Sequence, residues 1–276
     1  MDILFDIGGT KTRVAGTDGK GGFLSPVVAE TPKRYEEGLA YLEQTIREIA
    51  GETPVRAVIG GVAGPYNAKL GKLVASPNLP DWVGRPIADD ITRLINAPAR
   101  VMNDAALVGL GEAVHGAGAG RDIVAYMTVS TGVGGARIVR GAIDAAEIGF
   151  EPGHQVVDID GSLSFAPGER ELERLVSGRA VEERVGKPPA LIEDPSFWDS
   201  AADILAAGIA NTIVYWSPSI VVLGGSMMNK IGVSPEKVKE YLPRYLTIYS
   251  ELPPIVHSTL GDLGGIHGAL VLSEER

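Results

Sequence analysis

The feature that most constrains this chain is a pattern that occurs twice: strand, glycine-rich turn, strand. Residues 3–7 are a short apolar run entering Gly8-Gly9-Thr10, and residues 12–17 resume with alternating character. That predicts a β-hairpin with a glycine turn. Residues 123–130 are a second buried-strand pattern, entering Thr131-Gly132-Val133-Gly134-Gly135 and followed by a strand-like run at 136–139. The likeness is weak by letter and clearer by pattern. It suggests two related half-molecules facing each other, although two unrelated hairpins would look the same.

The other elements alternate. Residues 21–31 read as a third strand, broken near Pro26. Residues 35–50 carry Leu39, Leu42, Ile46 and Ile49 at helical spacing, with Gly51 as the stop. Residues 55–62 are a near-continuous apolar run, as in a strand buried on both faces. Residues 73–76 form a short strand, and 76–86 hold three prolines and a tryptophan, which makes an ordered loop. A helix at 88–95 and a strand at 100–102 follow. Asn103-Asp104 stands at that strand's exit, with a helix at 105–114. Helices are expected at 169–177, 197–216, 235–241 and 264–272, a loop at 188–195, and a strand at 220–223 ending in Gly224-Gly225. Such alternation is the α/β class. Residues 116–120 are small and flexible, either a boundary segment or a surface loop.

Composition sets the outer limits. At 276 residues the chain has room for one large or two modest domains. A 45% hydrophobic and 22% charged composition excludes a disordered chain. The formal charge, 25 − 35 = −10, gives no general attraction to phosphate backbones or anionic lipid. Neither nucleic acid nor a membrane is therefore expected as a partner. The absence of cysteine excludes disulfides and thiolate zinc sites. No apolar run approaches the ~18 residues of a membrane helix. The first residues lack a signal peptide's basic and apolar regions, so the expected location is cytoplasmic.

Three strands end in glycine-rich turns: Gly8, Gly9, Thr10 and Lys11 at the first, Thr131, Gly132 and Gly134 at the second, Gly224 and Gly225 at the third. Glycine lets backbone N–H groups approach an anion with no Cβ in the way, and successive N–H groups form a phosphate nest. Thr10 and Thr131 add hydroxyl donors. A single such turn reads equally well as a tight reversal. Three of them, with Asp6 at the first, favour a nucleotide. Neither G-x-x-x-x-G-K-[ST] nor a well-placed G-x-G-x-x-G is present.

Asp6-Ile7-Gly8-Gly9-Thr10-Lys11-Thr12 resembles the first phosphate motif of the sugar-kinase/actin/Hsp70 superfamily. More narrowly, the chain resembles the ROK family of repressors, uncharacterised frames and kinases over nearly its whole length. The resemblance runs through Gly60 to Pro65, Ser76-Pro77-Asn78-Leu79, Asn103-Asp104-Ala105, Gly111-Glu112, Glu151-Pro152-Gly153-His154, Ser177-Gly178-Arg179-Ala180, Gly224-Gly225 and Leu260-Gly261-Asp262. Their shared order and spacing carry it.

The resemblance implies an actin-like (ribonuclease H-like) fold of two α/β lobes with a ligand cleft, the lobes taken as residues 1–103 plus 261–276 and residues 104–260. It implies ATP-dependent phosphorylation of a hexose, with glucose at its 6-hydroxyl as first expectation and N-acetylmannosamine or fructose as alternatives. A sugar-sensing protein without catalysis is the reading of another class. A carboxylate at a strand exit can accept a hydroxyl proton during phosphoryl transfer, and the family's Asn-Asp pair puts that base at Asp104. The residue pattern alone reads equally as a cap on the following helix. Asn78, Asn103, Glu151, His154 and Glu173 are the implied sugar contacts, and Asp6 the residue holding Mg²⁺ through water.

The sequence departs from the family at residues 164–173. Ser164-Phe165-Ala166-Pro167-Gly168-Glu169-Arg170-Glu171-Leu172-Glu173 lacks the three cysteines usual there, so no zinc is expected. Glu169, Arg170, Glu171 and Arg174 become candidates for holding the loop by salt bridges. Ser130 replaces the glycine usual before Thr131. The family also implies a homodimer, with the long helix at 197–216 as a contributor.

Overall fold

The computed structural model describes residues 1–162, 169–228 and 232–275. In chain order the first elements are β1 (Asp2–Ile7), β2 (Lys11–Gly16), β3 (Val27–Glu30), α1 (Tyr35–Ala50), β4 (Ala57–Val62), β5 (Tyr66–Asn67) and β6 (Lys72–Leu73). Next come α2 (Ile87–Ile95), β7 (Ala99–Asn103), α3 (Asp104–Val114), β8 (Ile123–Val129), β9 (Val133–Val139), β10 (Ala142–Ile143), α4 (Leu172–Val176) and α5 (Gly178–Val185). The last are α6 (Pro195–Trp216), β11 (Ile220–Gly224), α7 (Pro235–Tyr241), β12 (Ile255–His257) and α8 (Gly264–Glu274).

The chain divides into two compact units. One comprises Met1–His115, Ala145–Gly149 and Asp262–Arg276; the other comprises Gly116–Asp144 and Phe150–Gly261. The first holds a five-stranded sheet in the order β3-β2-β1-β4-β7. β1 pairs antiparallel with β2, Ile7 opposite Thr12, and parallel with β4, Asp2 opposite Ala57. β4 in turn runs parallel to β7, with Val62 opposite Asn103. Every residue of β1 and β4 is buried, as expected of central strands covered on both faces.

The second unit's sheet has the order β10-β9-β8-β11-β12. β8 is antiparallel to β9 and parallel to β11, and β11 is parallel to β12. Order and strand directions repeat those of the first sheet, so the repeated sequence pattern is a repeat of topology.

Each unit has its own core. Phe5, Ile46, Leu79, Trp82 and Ile91 pack in the first. Met127, Leu172, Leu205, Ile209 and Leu223 pack in the second. In the first unit α3 lies tightly along α8. A Cβ on Gly268 would stand 1.8 Å from the Leu107 carbonyl oxygen, and one on Gly111 would stand 2.5 Å from the Gly264 carbonyl oxygen. Only glycine lets the two helix backbones approach so closely.

That contact moves the expected boundary. Residues 104–114 are not the start of the second unit: α3 belongs with the first because its glycine face fits α8. The break falls after His115, at the small-residue segment 116–120. Local differences also have physical reasons. β9 begins at Val133, so Gly134 and Gly135 are strand residues, and Gly135 gives room to Pro152, whose Cγ would lie 2.7 Å from an added Cβ. The expected helix at 169–177 is shorter, because Ser177 leaves helical geometry to cap α5, accepting the Ala180 N–H at 3.2 Å. The strand expected over 21–31 keeps only Val27–Glu30.

Candidate active site

In the first unit, β1 delivers Asp6 to the edge of the glycine turn. Asp6 is 7% exposed, and Arg13, its antiparallel partner on β2, stands 3.7 Å from its carboxylate. Arg13 also reaches Asp262 at 2.9 Å. Burial pushes the Asp6 carboxyl up to about 6, Arg13 pulls it down, and Asp262 adds a smaller upward push. The backbone of α8 closes on the same carboxylate: a Cβ on Gly265 would lie 2.7 Å from its Cγ. Among the described residues no group of three or more His, Asp or Glu side chains forms a metal cage. One buried carboxylate with oxygen donors does fit a Mg²⁺ that keeps most of its waters.

The turn itself is closed by Gly8 N–H donating to the Lys11 carbonyl at 2.9 Å. Thr10 and Lys11 are exposed, Lys11 opening β2 opposite Glu30. Asn78 comes to this turn from the 76–79 loop, and a Cβ on Gly9 would lie 2.9 Å from its Nδ2. Ser76 anchors the loop by donating to the Ala63 carbonyl at 2.8 Å. Trp82 is a packing residue, 1% exposed and set edge-on to Tyr35.

At the exit of β7, Asn103 caps α3. Its Oδ1 accepts the Ala106 N–H at 2.9 Å, and its Nδ2 donates to the Gly64 carbonyl at 2.8 Å. Asp104 is the first residue of α3. Its Oδ1 accepts the Ala105 N–H at 2.8 Å and Asn103 Nδ2 at 3.3 Å. The cap is therefore Asn103, and Asp104 is a half-buried carboxylate oriented by its neighbours.

In the second unit the turns after β8 and β11 adjoin. A Cβ on Gly225, whose φ is +95°, would lie 2.2 Å from the Val129 carbonyl oxygen. Ser130 Oγ meets Ser226 Oγ at 3.0 Å, so the serine that replaces glycine links the two turns. The Gly178 and Arg179 N–H groups donate to the Ser130 and Thr131 carbonyls, at 2.7 and 3.3 Å.

Glu151, His154 and Glu173 form one electrostatic cluster. Burial raises the Glu151 carboxyl, with His154 opposing and Glu173 adding. His154 is raised chiefly by its hydrogen bond to Glu171, Nδ1 to Oε2 at 2.8 Å, with Glu173 and Glu151 contributing. Glu173 Oε2 accepts the Val133 N–H at 2.7 Å and lies over Gly132, whose added Cβ would be 2.6 Å away. The sequence points to a sugar contact at Glu173; in the structure its carboxylate also fixes the start of β9.

Residues 164–168 of the cysteine-less loop lie outside the described residues. At its described end Arg174 makes one of the anticipated ion pairs, 3.7 Å from Glu169, while Arg170 instead donates a hydrogen bond to the Ile159 carbonyl at 2.9 Å. Sequence reasoning missed Arg13, Thr31 and Lys33. An arginine inside an apolar hairpin strand was the available signal for the first. The other two depend on β2–β3 register, which no local pattern reveals.

Comparison with known proteins bears on the whole chain. The ROK family model matches residues 3–276. An N-acetyl-D-glucosamine kinase of Yersinia pseudotuberculosis is 30% identical, with 97% of each chain covered. A ROK hexokinase from Thermus thermophilus is 30% identical, at a TM-score of 0.82 over 99% of this chain and 98% of its own. A ROK family glucokinase from Streptomyces griseus, solved with glucose and AMPPNP, is 25% identical, at a TM-score of 0.82 over 100% and 99%. No described helix is long and apolar enough to cross a membrane.

Proposed function

The chain belongs to the ROK family, and on that premise we propose that it is an ATP-dependent hexose kinase acting on a glucose-like sugar at its 6-hydroxyl. The observation that carries the reading is Asp104, a half-buried carboxylate at a strand exit whose orientation is set by Ala105 N–H and Asn103 Nδ2. That is the posture of a general base. Asp104 accepts the hydroxyl proton as the sugar oxygen bonds to the γ-phosphorus. The bond from that phosphorus to the ADP oxygen breaks, and its electron pair leaves with ADP. Phosphoryl transfer asks little else of the protein than positioning and charge neutralisation.

In the first unit, Asn78 and Asn103 supply amide groups suited to hydroxyls, and Gly8, Gly9, Thr10 and Lys11 surround a phosphate. Asp6 would hold Mg²⁺ through its waters, and the ion would supply neutralisation of phosphate charge. In the second unit, Glu151, His154 and Glu173 group acceptors and donors fit for vicinal hydroxyls. Thr131, Gly132 and Gly134 flank the turn after β8, and Gly224 and Gly225 the turn after β11. The Yersinia relative supports an N-acetylhexosamine as second substrate class. A homodimer belongs to the proposal, and exposed Val214 and Tyr215 at the end of α6 offer it an apolar surface.

The test is ADP release with Mg-ATP across a panel of hexoses and N-acetylhexosamines. One strong responder is expected. Asp104→Asn should lower kcat about 10²–10⁴-fold while sugar binding persists in calorimetry. Turnover retained in that variant would overturn the mechanism.

A further inference from the structure

Three successive carbonyls of the first glycine turn are drawn to one segment. Thr31 Oγ1 donates to the Gly8 carbonyl at 2.8 Å, Lys33 Nζ donates to the Gly9 carbonyl, and Thr31 N–H donates to the Thr10 carbonyl at 2.8 Å. Thr31 is 4% exposed and is held in turn by Thr12, Oγ1 to Oγ1 at 3.0 Å. In a trans peptide the C=O and N–H point in opposite directions. Carbonyls pulled towards residues 31–33 therefore turn the amides of Gly9 and Thr10 away from them, which is the geometry an anion nest needs.

Lys33 does one thing more. The ammonium that holds the Gly9 carbonyl also donates to the Asn78 carbonyl at 3.4 Å. One exposed side chain thus spans the phosphate turn and the loop that carries a sugar-contact residue. The Asn78 side chain meanwhile lies against Gly9 itself.

We propose that Lys33 is a positioning residue that couples the sugar loop to the phosphate turn, so that sugar on Asn78 tightens nucleotide on the Gly8–Thr10 turn. The inference rests on the kinase reading. In this role Lys33 acts through the Gly9 and Asn78 carbonyls. Coupling of this kind is a ratio of affinities, and allosteric ratios commonly fall at about 5–150-fold.

The experiment is calorimetric titration of Mg-AMPPNP into the full chain, with and without saturating sugar. The sugar is glucose, or N-acetylglucosamine if that is the better substrate in the panel. The unaltered chain should bind Mg-AMPPNP at least about 5-fold tighter with sugar present. Lys33→Met should bring that factor close to one without lowering Tm appreciably, and Lys33→Arg, which keeps a cationic donor, should restore it. Lys33→Gln serves as the uncharged donor variant if the methionine variant is unstable. An unchanged factor in Lys33→Met, a factor that Lys33→Arg fails to restore, or no factor in an active unaltered enzyme overturns the proposal and leaves the kinase reading standing. An unaltered chain that binds neither probe and releases no ADP overturns the kinase reading and this inference with it.

Discussion

At the scale of single residues, Asp6 is a buried carboxylate that costs the fold stability when it ionises. Its carboxyl is pushed from 3.8 to about 6, chiefly by burial. An acid whose folded pKa is raised holds its proton more tightly when folded, so ionising it destabilises the fold. The penalty is absent below about pH 4, grows through the interval, and is complete above about pH 6. At 1.36 kcal/mol per pKa unit it reaches about 3 kcal/mol. Asp6→Asn should therefore raise unfolding free energy by up to about 3 kcal/mol at pH 7.5 and by nearly nothing at pH 4, as read from urea melts at both. The same variant should lose most phosphoryl transfer. Asp6, Asn103 and Asp104 were legible in the sequence because each stands where a strand ends, and ligands of α/β sheets gather there. Arg13 and Lys33 were not, since their partners are fixed by pairing across strands.

At the scale of elements, the α3–α8 contact decides where Asp104 sits. Gly268 has no room for a methyl group, the Leu107 carbonyl oxygen being 1.8 Å from its would-be Cβ. Gly268→Ala must separate the helices. Overpacking of this kind costs about 1–3 kcal/mol, and the first turn of α3 carries Asp104 with it. The expected result is a lower Tm together with a lower kcat; an unchanged Tm would show that the helices adjust freely. Helix α1 could be read from its apolar spacing and its Gly51 stop. α5 could not, because its start depends on Ser177 capping rather than on periodicity. β12 was missed for a related reason: three residues are too few to show a pattern.

At the scale of the whole molecule, the two sheets share one strand order, and each has a separate core. Two cores predict unfolding that is not all-or-none. The calorimetric enthalpy should exceed the van't Hoff enthalpy, and equality of the two would show a single cooperative unit. The repeated hairpin motif made the twofold architecture legible. The boundary was less so, because assigning α3 requires its glycine contact with α8, some 150 residues away in the chain.

That contact also sets an order of events in the cell. The second unit is continuous apart from a five-residue excursion, and all of it precedes residue 262. The first unit is built from both ends of the chain and includes α8. During synthesis at about 5–20 residues per second, the central unit can be complete while Asp6 still waits for the helix that covers it. The nascent chain therefore presents its apolar β1–β4 surface, open on one side, until residues 264–274 have been made, and that surface is where a ribosome-associated chaperone would be needed.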